Sequence, residues 1–134
     1  MIDNLILIVD DDFDIASLIR IDIEKLGIST ISFTDPLEAL KEFRSHYPDY
    51  DIVISDIRMP NMNGYEFVEE VKKIKPAVKI FLMSAFQYSD SYFTKAFSHS
   101  EIEGFIEKPI SLKELNKLVL NHADETPYNF SYSN

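Results

Sequence analysis

Leu5-Ile6-Leu7-Ile8-Val9 is an unbroken apolar run, the pattern of a strand buried on both faces of a parallel sheet. A helical pattern follows, with Ile15, Ile19, Ile23 and Leu26 on one face, and Gly27 stops it. Ile31 and Phe33 alternate with polar residues and predict a second strand nearer the sheet edge. Asp35-Pro36-Leu37-Glu38 then opens a helix: Asp35 can cap it, Pro36 suits its first turn, and Glu38 can reach back to the capping N–H. Leu37, Leu40 and Phe43 are the expected apolar face of that helix. Ile52-Val53-Ile54 predicts a third strand, and Val68, Val71 and Ile74 mark the next helix, closed by Pro76. A fourth strand is read in Ile80-Phe81-Leu82-Met83. The stretch from Tyr88 to Phe97 predicts a fourth helix, although its Ser, Thr and aromatic residues lower its propensity. Gly104-Phe105-Ile106 is a short fifth strand. Ser111-Leu112-Lys113-Glu114 forms a capping box for a fifth helix that buries Leu115, Leu118 and Val119.

Five strand signals alternating with five helix signals imply an α/β chain whose parallel sheet carries helices on both faces, a doubly wound sandwich. The pattern ends at Ala123, so residues 1–122 read as one domain and residues 123–134 as a polar and aromatic tail expected to be flexible. A length of 134 residues suits one core of this kind. In such sheets a ligand site forms beyond the carboxyl ends of the strands, where the strand order reverses. Polar residues at those ends therefore carry the functional information.

Composition narrows the chemistry. The chain is 46% hydrophobic and 27% charged, the balance of a soluble globular protein. No apolar run approaches the roughly 18 residues of a membrane span and no signal peptide is visible, so a cytoplasmic location without membrane contact is expected. Cysteine is absent, which excludes disulfides, zinc-thiolate sites and cysteine nucleophiles. His46, His99 and His122 match no metal spacing and read as surface residues. The net charge of −10, from 13 basic and 23 acidic residues, disfavours direct nucleic-acid binding.

The placement of the acidic residues is more telling. Strand one ends in Asp10-Asp11-Asp12, strand three in Asp56, strand four in Ser84, and strand five runs into Lys108-Pro109. If strands one and three are neighbours, Asp10, Asp11 and Asp56 meet, and their repulsion calls for a cation. A hard ion such as Mg²⁺ prefers an oxygen-only set of this kind. Asp12 or Asp14 can instead serve as the cap of the first helix. Ser84 and Lys108 add a hydroxyl donor and a compact cation, which are what an aspartyl phosphate needs opposite a metal.

Ile8-Val9-Asp10-Asp11-Asp12, Ser55-Asp56-Ile57-Arg58-Met59-Pro60, Gly64, Met83-Ser84-Ala85 and Gly104-Phe105-Ile106-Glu107-Lys108-Pro109 together resemble the receiver domains of response regulators. The resemblance covers residues 3 to about 122 in the family's order and spacing. It implies a flavodoxin-like strand order 2-1-3-4-5, with Asp56 as phosphoacceptor, Asp11 as direct Mg²⁺ ligand, Asp10 as its water-mediated partner, and Arg58 contributing its backbone carbonyl to the metal. It further implies Ser84 as switch hydroxyl, Lys108 as phosphate-binding lysine, Phe105 as the switching aromatic, and a cis Lys108-Pro109 bond. Ser84 and Phe105 stand where Thr and Tyr are more frequent in the family. Bulky Arg58 and Phe86 would flank the path of the hydrolytic water.

As a receiver, the domain would take its phosphoryl group from a sensor histidine kinase or phosphotransfer protein and would not be an enzyme. Its output would be a downstream protein partner or homodimer on the face of the fourth predicted helix, fifth strand and fifth predicted helix, with Tyr88 and Tyr92 exposed and Phe93 and Phe97 in the core. No output segment follows the domain in this sequence, so a stand-alone receiver is expected. Three alternatives compete: a receiver-like interaction module that is never phosphorylated, an aspartate-nucleophile phosphohydrolase, and a flavin carrier. Asp14 stands where the phosphohydrolase pattern has Thr or Val, and a triply acidic first loop would repel a flavin phosphate.

Overall fold

The computed structural model describes residues 5–84 and 102–122. Strands β1 (Leu5–Val9), β2 (Ser29–Phe33), β3 (Tyr50–Asp56), β4 (Lys79–Ser84) and β5 (Gly104–Glu107) form one parallel sheet in the order β2-β1-β3-β4-β5. Four helices are described: α1 (Phe13–Glu24), α2 (Pro36–His46), α3 (Gly64–Ile74) and α4 (Leu112–His122). α4 is the helix expected to open at Ser111. The helix expected over Tyr88–Phe97, which includes Tyr92 and Phe93, lies outside the described residues, as do Phe86 and His99.

Two cores explain why β1 is apolar without interruption. Successive strand side chains point to opposite faces. Leu7 and Val9 pack with Val53, Ile80 and Leu82 beneath Leu40 and Phe43 of α2 and Phe67, Val68 and Val71 of α3. Ile6 and Ile8 join Ile52, Ile54, Phe81 and Met83 on the other face, under Ala16, Ile19 and Ile23 of α1 and Leu115 and Val119 of α4. Each fully buried aliphatic or phenyl side chain contributes about 1.5–3 kcal/mol by leaving water. β2 has one neighbour and buries none of its residues fully, as its alternating pattern predicts.

The helix starts follow local chemistry. Asp12 caps α1, accepting hydrogen bonds from the N–H groups of Asp14 and Ile15, and Asp35 caps α2 through the N–H of Leu37. Two details of α2 differ from expectation. Glu38 stays exposed and makes no return bond, and Leu37 is 48% exposed, so Pro36, Ala39, Leu40 and Phe43 form the buried stripe. At 3.6 residues per turn Leu37 stands about 120° around the helix from Phe43. Ser111 accepts from the Glu114 N–H at 3.3 Å, the forward half of the expected box. The complete reciprocal box belongs to α3, where Asn63 and Glu66 exchange bonds. His46 is on the surface beside Glu42, but His122 is half-buried with its ring edge-on to Phe81, because α4 crosses the apolar surface of β4 there.

Candidate functional site

The sheet register sets the site. Val9 is paired with Ser55, so Asp10 and Asp56 leave neighbouring central strands at the same level. Asp10, Asp11 and Asp56 present carboxylate oxygens that lie within 4.8 Å of one another. Asp10 is 0% exposed and Asp56 is also buried, whereas Asp11 faces solvent. Asp10 Oδ1 accepts the Asp12 N–H at 2.9 Å, which ties the cluster to the turn that caps α1. Asp56 Oδ1 accepts the Ile57 N–H at 2.9 Å, and Asp56 Oδ2 accepts from the Lys108 ammonium at 3.2 Å.

The same ammonium stands 3.0 Å from Asp10 Oδ2, a charge contact without the alignment of a hydrogen bond. One cation therefore serves two buried carboxylates, and the third adds to the excess. Burial, then the charge of Asp10, pushes the Asp56 carboxyl up to about 6 against the opposing pull of Lys108 and the Ile57 N–H. Burial lowers the Lys108 pKa, but the facing carboxylates of Asp10 and Asp56 outweigh it and the net direction is upward. Lys108 stays an ammonium.

A hard divalent ion fits this donor set. The available atoms are all oxygens, they converge within 4.8 Å, and Asp10 Oδ2 is buried with no hydrogen-bond donor aimed at it. The carboxylates there carry more charge than Lys108 alone can offset.

The neighbouring loops complete the edge. Ser84 is buried at the end of β4, and its carbonyl accepts the Lys108 N–H at 2.7 Å, so β4 and β5 together deliver the lysine. The Lys108-Pro109 bond is cis, as expected. Arg58 is exposed in the loop that follows Asp56. Phe105 is 41% exposed on β5. The structure thus brings Asp10, Asp11, Asp56 and Lys108 together, sets Ser84 on the same sheet edge, and leaves Phe105 outward. Sequence reasoning missed the β3–α3 turn: Asn61 adopts φ 74°, Met62 N–H bonds to Pro60 O at 2.8 Å, and Gly64 N–H bonds to Ile57 O at 2.8 Å. The Asn63-Gly64-Tyr65-Glu66 spacing carried its capping signal.

Residues 6–120 match the family described as the response regulator receiver domain. The chain is 29% identical over 124 residues to sporulation initiation phosphotransferase F of Bacillus subtilis, a match covering 84% of this chain and 98% of that protein. It is also 29% identical over 115 residues to the alkaline phosphatase synthesis transcriptional regulatory protein PhoP of the same organism, covering 85% of this chain. The chain spans about half the length of that regulator, 46%. Among solved structures, a response regulator receiver domain protein from Clostridium thermocellum superposes with a TM-score of 0.80 at 24% identity, covering 89% of this chain and 93% of that one, which shows the fold. No helix among the described residues is long and apolar enough to cross a membrane. Receiver domains of response regulators are signalling modules that receive phosphate from histidine kinases and bind Mg²⁺ at an acidic aspartate cluster. By its matched span, its strand order and the acidic edge between β1 and β3, this chain belongs to the response regulator receiver domain family of two-component systems.

Proposed function

We propose that this domain accepts a phosphoryl group on Asp56 from a phosphohistidine of a sensor histidine kinase or phosphotransfer protein, in a Mg²⁺-dependent step. One observation carries the reading: a buried Asp56 carboxylate shares an oxygen-lined cluster with Asp10 and Asp11 while Lys108 contacts its Oδ2. A similar protein of matching length bears the name phosphotransferase, which supports phosphoryl transfer here.

The Asp56 carboxylate oxygen is the nucleophile. Its bond to phosphorus forms as the P–N bond of phosphohistidine breaks and the electron pair returns to the imidazole nitrogen. Bound Mg²⁺ would supply charge neutralisation on the phosphoryl oxygens, held by Asp10, Asp11, Asp56 and the Arg58 carbonyl. Lys108 would exchange its contact with Asp56 Oδ2 for one with a phosphoryl oxygen, and the Ser84 hydroxyl would donate to another. Movement of Ser84 would let Phe105 turn inward and alter the face that β5 and α4 offer to a protein partner or a second copy. Hydrolysis by water resets the domain, which therefore acts on itself and is not an enzyme toward outside substrates. Residues 1–122 would form this unit, with residues 123–134 as a tail, in the cytoplasm.

The test is intact-mass measurement after incubation with phosphoramidate, with Mg²⁺ or with EDTA. One added phosphoryl group that needs Mg²⁺ is expected. No mass gain with Mg²⁺ would sink the proposal.

A further inference from the structure

The backbone of Asp56 is gripped from outside the site. Its carbonyl oxygen accepts the Ser55 hydroxyl at 2.9 Å, and the next N–H, of Ile57, reaches Met83 O on β4 at 3.2 Å. From the other side α3 closes down: Gly64 N–H bonds to Ile57 O at 2.8 Å. A Cβ on Gly64 would lie 2.5 Å from Asp56 O, 2.8 Å from Ile57 Cα and 3.3 Å from Asp56 C, all backbone atoms. α3 is in turn held by the Asn63–Glu66 capping box and by fully buried Phe67, Val68 and Val71.

We infer that Gly64 is a positioning residue for phosphoryl transfer, because its bare Cα lets α3 press the Asp56-Ile57 peptide into the place that sets Asp56 against Asp10, Asp11 and Lys108. This rests on the proposed role of Asp56. With alanine at 64 the closest contact must open from 2.5 Å to at least 3.0 Å. Retreat by α3 would disturb three anchored core side chains, so the peptide between strand and helix moves instead. Asp56 moves with it. Catalytic constellations tolerate misplacement of only about half an ångström, and larger errors cost on the order of 10²-fold in rate.

Gly27 provides the matched control. It has φ +86° with nothing within 4 Å of an added Cβ, and it lies at the opposite edge of the sheet. Gly27→Ala therefore strains the fold without touching the site. Gly64→Ala and Gly27→Ala would be compared by chemical melts, Mg²⁺ titration, and phosphorylation rate from phosphoramidate at saturating Mg²⁺. Both variants are expected to melt below the parent. Gly64→Ala alone should lose about tenfold or more in Mg²⁺ affinity and in rate. The measurements are made in a stabilising osmolyte, which favours the folded state of both chains. Parent-like affinity and rate in folded Gly64→Ala would overturn the assignment. So would a Gly64→Ala chain that stays unfolded in osmolyte while Gly27→Ala folds, since Gly64 would then serve folding alone. If the parent itself takes no phosphoryl group, the proposed function fails, whereas a selective loss of Mg²⁺ affinity in Gly64→Ala would still support the positioning role.

Discussion

Asp56→Asn in the metal-free protein isolates the electrostatic strain of the site. In the folded state burial and then Asp10 raise the Asp56 pKa from 3.8 to about 6. The folded state thus binds this proton more tightly than the unfolded chain does. Its stabilising effect is complete below pH 3.8 and is lost as pH rises through 6. At about 1.36 kcal/mol per pH unit, the ionised carboxylate destabilises the fold by about 3 kcal/mol at pH 8, and by about half that at pH 5. Asparagine resembles the protonated carboxyl and can still accept the Ile57 N–H, so the variant escapes most of that penalty. Urea unfolding in EDTA should place Asp56→Asn above the parent by most of about 3 kcal/mol at pH 8, with the gap closing on acidification toward pH 4. Saturating Mg²⁺ should also narrow it, by stabilising the parent more than the variant, which has lost one ligand. A variant no more stable than the parent at pH 8 in EDTA would refute the claim that the cluster is over-charged.

Asp11 is the exposed member of the cluster, so Asp11→Ala should melt no lower than the parent in EDTA and gain less from Mg²⁺; equal gain would remove Asp11 from the ligand set. Lys108→Ala should bind Mg²⁺ more tightly by calorimetry, because the ammonium within 3.2 Å of two carboxylates competes with the ion, yet it should uncouple any phosphorylation from the change at Phe105. Phe67→Ala, at a fully buried position, should lower urea stability by about 3–5 kcal/mol, with Mg²⁺ still stabilising the protein that remains folded.

Much of this arrangement could be read from side-chain order. The apolar run of β1 required two buried faces, and the structure divides it between Leu7 and Val9 on one core and Ile6 and Ile8 on the other. Acidic strand ends plus a parallel sheet were enough to bring Asp10, Asp11 and Asp56 to one edge. What escaped were contacts that depend on distance rather than spacing. Asp10 lies wholly inside while Asp11 is exposed, because one residue further along the chain has already turned toward α1. Tyr50, fully buried with its hydroxyl donating to Glu42 at 2.7 Å and its pKa raised by burial and then by Glu42, extends β3 two residues before its apolar signal. The reason for Gly64 lies in a backbone eight positions away in sequence, which no periodicity encodes. Leu37 was misplaced because a leucine near a helix start adds to any apolar count, whichever way it points.

The most direct test of Asp56 as phosphoacceptor is chemical trapping. An acyl phosphate is reduced by borohydride to an alcohol, so protein treated with phosphoramidate and Mg²⁺, then reduced and digested, should show homoserine in place of Asp56 and nowhere else. Homoserine in place of Asp10 or Asp11, or phosphorylated protein yielding none, would contradict the account.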